Sequence, residues 1–320
     1  MNDNYLWDRS GPPDPEIERL EQTLAPLRYR HRAGLVREAA PRTRVWWAAA
    51  AAVVLAAVAA WQVGIRPVPG SAWQIAALEG PARVGGQDAT IDMSLSAGQV
   101  LRTGTDAQIT LQADDVGQVD IGPDSELRAA TNRQILLKRG LLHALIWARP
   151  GVFEVETPSA RAIDLGCEYT IHVDPSGDGL LRVSTGWVAF RFQGHESFIP
   201  AGAECVTRKR QGPGIPFYED APEPLRQALG DFENGDPATA LDRILASARP
   251  RDGLSLWHLL TRVSASDRAR VFDRFAQLVE VPSDVTREGV LRRDSHMIDR
   301  CWDALTLENT EWWRGWERKW

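Results

Sequence analysis

The sequence predicts a multi-domain α and β protein: one transmembrane helix, an all-β domain of the roll or sandwich kind, and a C-terminal all-α domain. Three observations carry that expectation. Residues 45–65 form one long apolar run. Residues 73–208 alternate with period two between closely spaced turn residues, and from residue 222 onward apolar side chains recur at helical spacing. The expected divisions are therefore 1–44, 45–65, 73–208, a linker at 209–221, and 222–320.

Residues 1–44 are too few to bury a core by themselves. They contain one organised piece, "PDPEIERLEQTLAPL", with Asp14 as N-cap, Pro15 at the first helical position, and Glu16 and Glu18 at the positive end of the helix dipole. Ile17, Leu20, Leu24 and Leu27 fall on one face of that helix. Such a stripe needs a partner, a second copy of the chain, or a membrane surface to cover it. A short helix resting on lipid headgroups is the plainer alternative. No His-x₃-Cys-x₂-Cys spacing is present, so this segment is not a zinc-holding stub.

The run "VWWAAAAAVVLAAVAAW" (45–61) is uninterrupted apolar and extends to Ile65 if Gln62 is tolerated. That length suffices for ~30 Å of hydrocarbon. Trp46 and Trp47 at one end and Trp61 at the other suit the two membrane interfaces. Six arginines (28, 30, 32, 37, 42, 44) against Glu38 alone precede the run. The positive-inside rule then places residues 1–44 in the cytoplasm and the bulk of the chain in the periplasm of a single-pass bacterial inner-membrane protein. A cleaved signal peptide would need a shorter leading region and a shorter apolar stretch. An alanine-rich core helix is the other alternative.

Short alternating segments fill the middle of the chain, among them "AQITLQ", "GQVDIG", "SELRAA", "RQILLKRG", "LLHALIW", "VFEVETP", "ARAIDLG", "LLRVST" and "WVAFRF". Turn signals every ~8–12 residues indicate antiparallel all-β architecture. "DPSGDG" (174–179) superficially suggests a calcium loop, but Thr185 stands where the loop's closing glutamate belongs, so a hairpin turn is expected.

Residues 80–205 also resemble the FecR domain. The likeness lies in "LSAGQVLRTGTDAQITLQ", "SELRA", "LLKRGLLHALI", "FEVETPSARAIDLGCEYTIHV" and "LLRVSTGWVAF". Thr157-Pro158, Ala160, Leu165-Gly166 and Val183 through Val188 match the family's pattern in order. Cys167 stands where that pattern has threonine, and Tyr169 where it has phenylalanine. The resemblance implies a membrane-anchored signal transducer, regulating an extracytoplasmic-function sigma factor in response to a periplasmic signal. By analogy, Ile17, Leu20, Leu24 and Leu27 would be the sigma-contacting face. The alternative is an anchored periplasmic scaffold that binds an envelope component and has no sigma-factor role.

The chain has three cysteines, at 167, 205 and 301. In an oxidising compartment a bridge between Cys167 and Cys205, the two within the β region, is expected. Two separate buried thiols are the alternative. Cys301, in a helical segment, reads as a buried thiol.

The last region opens with "LRQALGDFENGDPATALDRILASA", similar to one tetratricopeptide-type hairpin, with Asp236-Pro237 starting its second helix. Amphipathic segments follow, with Leu256, Leu259, Val271, Phe275 and Leu278 as core positions. Trp312, Trp316 and Trp320 share a spacing of four, beside Trp313, and are expected to pack on the preceding helices or to meet a partner. The whole tail resembles that of a group of bacterial FecR-domain membrane proteins in "LWHLL", "VTREGVL" and "EWWRGW".

A net charge of −6 argues against direct nucleic-acid binding by phosphate neutralisation. Histidines 31, 143, 172, 195, 258 and 296 are scattered without ligand spacing. No nucleophile elbow, phosphate loop or dinucleotide fingerprint is present, so neither an enzyme nor a cofactor is expected.

Overall fold

A computed structural model describes residues 72–307, together with Arg19, Thr23 and Leu24. The chain divides into two compact units, 1–66 and 67–320. The apolar run 45–65, with Trp46, Trp47 and Trp61, lies outside the described residues, as do Ile17, Leu20, Leu27 and the terminal tryptophans. Among the described residues no helix is long and apolar enough to cross a membrane. In the first unit, Leu24 is helical and 55% exposed, and the Thr23 hydroxyl donates to the Arg19 carbonyl at 2.8 Å.

The second unit is mostly β-sheet followed by helices. Among the described residues, eighteen strands form two sheets that share β9 (Gln134–Ile146). The first sheet runs β4 (Ser94–Leu95), β1 (Trp73–Glu79), β6 (Gln108–Ala113), β7 (Gly117–Ile121), β9, β12 (Glu168–Val173), β13 (Gly179–Thr185) and β16 (Ala203–Arg208). The second runs β3 (Gln87–Asp88), β2 (Ala82–Val84), β5 (Val100–Thr103), β8 (Glu126–Thr131), β9, β10 (Glu154–Glu156), β11 (Arg161–Asp164), β14 (Trp187–Phe192) and β15 (His195–Pro200). Every pairing is antiparallel except β9 with β10.

The expected alternation is real. In β6, for example, Ile109, Leu111 and Ala113 are buried while Gln108 and Gln112 are not. Inward-facing residues of both sheets join one hydrophobic cluster, which fixes register because a slip by one residue would turn every apolar side chain to solvent. Two segments that read as separate strands, "RQILLKRG" and "LLHALIW", are one strand of 13 residues. Residues up to Arg139 pair in one sheet, and Gly140 onward pair in the other. The "DPSGDG" segment is the β12–β13 hairpin turn, in which Asp174 accepts from the Gly177 and Asp178 amides at 3.0 and 3.1 Å.

The stretch 209–221 is not a free linker. β17 (Gly212–Pro213) and β18 (Phe217–Tyr218) both pair with β16, and both are buried. Among the described residues six α-helices follow: α1 (Glu223–Glu233), α2 (Pro237–Ser247), α3 (Gly253–Arg262), α4 (Ala265–Leu278), α5 (Arg287–Leu291) and α6 (Ser295–Asp303). Their starts obey capping chemistry. Asp236 accepts from Thr239 N with Pro237 at the first turn, Ser264 accepts from Asp267 N, and Asp294 accepts from Met297 N.

The helices share the β core's hydrophobic cluster. Helix α3 is buried from Gly253 through Leu260, because it lies between the sheet and the other helices. Trp302 of α6 meets Trp187 and Phe198 of the sheet at 5.5 and 6.0 Å between ring centroids, and Trp257 of α3 at 4.7 Å.

Candidate functional site

Cys167 immediately precedes β12, in the loop that leaves β11. The loop closes on the Asp164 carboxylate, which accepts from the Gly166 amide at 3.0 Å, the Cys167 amide at 3.2 Å, and the Cys167 thiol. Asp164 is fully buried. Burial pushes its carboxyl up to about 6, against the pull of those three donors. Burial, and then the neighbouring carboxylate, hold the Cys167 thiol well above its ordinary value, which disfavours the thiolate form.

The expected Cys167–Cys205 bridge is not formed; both are free thiols. Strand register supplies the reason. Cys205 lies opposite Leu181, and Leu181 lies opposite Ile171, so β13 separates β16, which carries Cys205, from β12, which Cys167 precedes. Cys167 is a further four residues along from Ile171. With strands ~4.8 Å apart and a rise of ~3.3 Å per residue, the Cα atoms stand about 10 Å apart across the sheet and about 13 Å along it, against a bridging limit of roughly 7 Å. Cys205 instead donates to the Gly214 carbonyl at 3.5 Å, and burial pushes its thiol up to about 12. Cys301 is a buried thiol, as read from the sequence.

A cavity of about 510 Å³ opens where β15–β17 meet α1 and α3. Arg208, Arg262 and Arg293 enter its wall beside Glu233, Phe232 and Trp257. Arg262 is held in place by three acceptors: the Pro213 carbonyl at 3.2 Å, the Glu196 carbonyl at 3.3 Å and the Ser197 hydroxyl at 2.6 Å. Glu233 accepts from the Ile215 amide at 2.5 Å. Burial raises its pKa, opposed by that amide and by Arg262 and Arg208. In the same wall, His258 Nε2 accepts from the Phe198 amide at 3.0 Å while Nδ1 donates to the Leu254 carbonyl at 2.9 Å. Burial, with Arg262 nearby, brings His258 down to about 3, so the ring is neutral.

Three guanidinium groups against two acidic residues, Glu196 and Glu233, with aromatic walls, suit a small anionic molecule carrying an apolar part. Sequence reading did not gather these residues, because positions 208, 233, 262 and 293 belong to four different elements or loops. The one local signal is a histidine inside the apolar run "LWHLL". Among the described residues, no group of three or more His, Cys, Asp or Glu converges in a way that could hold a metal ion.

Residues 99–189 match the family model described as FecR protein. The chain carries a FecR domain. The match begins just before β5 and ends within β14, so β15–β18, the helices and the junction cavity lie beyond it. The signature residues of the FecR domain hold backbone together. Thr103 Oγ1 donates to the Gly122 carbonyl at 2.8 Å and accepts from the Ser125 amide at 2.9 Å. Gly140 has φ +100°, and a Cβ there would stand 2.1 Å from Ser125 Oγ. Gly186 has φ +71°, and a Cβ there would stand 2.0 Å from the Gly166 carbonyl oxygen. Thr157 Oγ1 donates to the Ala160 carbonyl at 2.8 Å and accepts from its amide at 3.0 Å, which makes the Thr-Pro-x-Ala turn.

Two crystal structures, each of a candidate anti-sigma factor from Parabacteroides distasonis, are similar to this chain. One shows 15% identity and a TM-score of 0.34 over 40% of this chain and 63% of its own. The other shows 15% identity and a TM-score of 0.33 over 45% and 73%. The chain thus spans less than two thirds of the first of these. No curated protein matches it.

Proposed function

We propose that the protein is a single-pass inner-membrane signal transducer of the FecR type that regulates an extracytoplasmic-function sigma factor. Residues 1–44 face the cytoplasm, 45–65 span the membrane, and the FecR domain with its helices senses a periplasmic event. The FecR match at 99–189 carries this reading. The apolar run and the six arginines ahead of it support the membrane arrangement. Exposure of the helical Leu24 supports Ile17, Leu20, Leu24 and Leu27 as an open contact face for the sigma factor. The junction cavity supplies a place where a small anionic effector could be read.

Two measurements test the proposal. A periplasm-dependent reporter fused after residue 320 is active, and the same reporter fused at residue 1 is silent; recovery of the full-length chain in a salt-washed soluble fraction would refute the anchor. Co-purification of the detergent-solubilised protein from its native host yields a sigma factor, and Leu20→Asp with Leu24→Asp abolishes its capture, because two charges are left unpaired on an apolar contact. Membrane association with no cytoplasmic partner would instead support the anchored envelope-binding scaffold.

A further inference from the structure

The three arginines of the junction cavity are brought together by the backbone. Arg208 pairs with Gly212 across β16 and β17, and the next residue, Pro213, gives its carbonyl to Arg262. Arg293 Nη2 donates at 3.5 Å to the carbonyl of Val263, the neighbour of Arg262. The Glu233 carboxyl feels both Arg262 and Arg208. Strand β16, the end of α3 and the turn after α5 thus deliver three guanidinium groups to one wall.

Their charge is not fully met within the protein. Among the described residues, Arg262 and Arg293 donate to neutral oxygens only. Arg208 has Asp178 at 3.6 Å, and its Nε is buried with no hydrogen-bond partner. A buried donor left unpaired costs stability, so it calls for an acceptor. The two acids of the cavity are committed elsewhere. Glu196 pairs with Arg191, and Glu233 takes the Ile215 amide while pressing on Gly214, where a Cβ would stand 2.2 Å from Oε1. Three guanidinium groups against two carboxylates leave one positive charge.

Arg293 carries a second mark. It follows the C-cap of α5 and has φ +60°. Its amide donates to the Val290 carbonyl at 2.9 Å, and the Asp294 amide donates to the Gly289 carbonyl at 3.0 Å. These two bonds make a Schellman closure, whose left-handed position is usually glycine. An arginine there strains the backbone, and its side chain lines the cavity.

Taking the junction cavity as the effector site, we propose that its ligand is a monocarboxylate with an apolar body, the carboxylate shared by Arg208, Arg262 and Arg293 and the body lying against Phe232 and Phe198. One surplus positive charge matches one carboxylate better than a phosphate dianion. A volume of about 510 Å³ accommodates a ring with a short chain.

Titration calorimetry on the detergent-solubilised full-length chain, against detergent alone, tests this with three probes: 4-phenylbutyrate, its neutral amide, and phenyl phosphate, mostly a dianion at neutral pH. The carboxylate binds, the amide binds about tenfold more weakly or worse, and the phosphate binds no more tightly than the carboxylate. Arg208→Met lowers affinity for 4-phenylbutyrate by about tenfold. Arg293→Gly does the same, yet raises the ligand-free melting midpoint by about 2–4 °C, because glycine relieves the strain. The proposal is overturned if no probe binds, if acid and amide bind equally, or if phenyl phosphate binds more tightly. It is also overturned if Arg293→Gly binds as wild type does, or if its ligand-free midpoint falls, which assigns that arginine to the fold. None of these outcomes touches the membrane anchor or the sigma factor, which the reporter fusions and the capture experiment test by themselves.

Discussion

At the scale of single residues, two buried titratable groups pull stability in opposite directions. Asp164 has its folded pKa raised to about 6 from an ordinary 3.8, so the folded state holds a proton that the unfolded chain has already lost. Its contribution is complete below the unfolded value and disappears as pH rises through 6, a swing of about 3 kcal/mol. His258 is the reverse, lowered to about 3 from 6.5. Its contribution is complete above the unfolded value and is lost as pH falls toward 3, a swing on the order of 5 kcal/mol. The stability difference between wild type and Asp164→Asn, taken from urea melts, therefore changes against the wild type between pH 4 and 6. The difference for His258→Gln moves the other way over pH 6.5 to 4. Cys167 belongs to the same account. Cys167→Thr keeps a donor on Asp164 and is nearly neutral, whereas Cys167→Ala strips a buried carboxyl of one partner and costs about 1–3 kcal/mol.

At the scale of elements, β9 and α6 carry disproportionate weight. β9 serves both sheets, and its turning point is Gly140, whose left-handed φ and contact with Ser125 leave no room for a side chain. Gly140→Ala is strained in conformation and in space together, and is expected to cost about 2 kcal/mol or more in chemical denaturation. In α6, Trp302 is 1% exposed and touches rings from both the sheet and α3. Trp302→Ala leaves a cavity among those rings and lowers stability by about 3–5 kcal/mol. Because the cavity lies between sheet and helices, near-ultraviolet and far-ultraviolet signals of this variant fall in one transition. Two separate transitions would show that the helices unfold by themselves.

At the scale of the whole second unit, the FecR domain and the helices are welded by more than adjacency. Ser255 donates to the Pro216 carbonyl at 2.7 Å, His258 accepts from Phe198, and Arg262 reaches Pro213, Glu196 and Ser197. A chain ended at residue 208 loses β17 and β18, uncovers Trp187 and Phe198, and strips the Phe198 amide of its acceptor. Residues 67–208 expressed alone are therefore expected to be insoluble or molten, which soluble yield and amide-proton dispersion measure. An effector in the junction cavity touches strands and helices together, so its binding raises the single melting midpoint of the unit.

Local chemistry was enough to mark out much of this molecule. Period-two alternation gave away β6, β7, β8, β10, β12 and β13, because each of these strands has one face in a common core, whereas β11 and β14 are buried on both faces. Caps such as Asp236-Pro237 marked helix starts, because they act within a few residues of where they stand. The FecR likeness was legible for a related reason: its glycines and threonines answer demands of the backbone close at hand. What the sequence could not decide was which distant segments meet. Pairing of 209–221 on β16 escaped notice because two-residue strands have no periodicity to read. The Cys167–Cys205 bridge was a sound inference from compartment and count, yet strand register interposes β13. Arg208, Glu233, Arg262 and Arg293 lie far apart in the sequence, and only the packing of α1 and α3 against β15–β17 brings them to one cavity. Periodicity reports which face of an element is buried. Only the register and packing of elements far apart in the chain determine what that face is buried against.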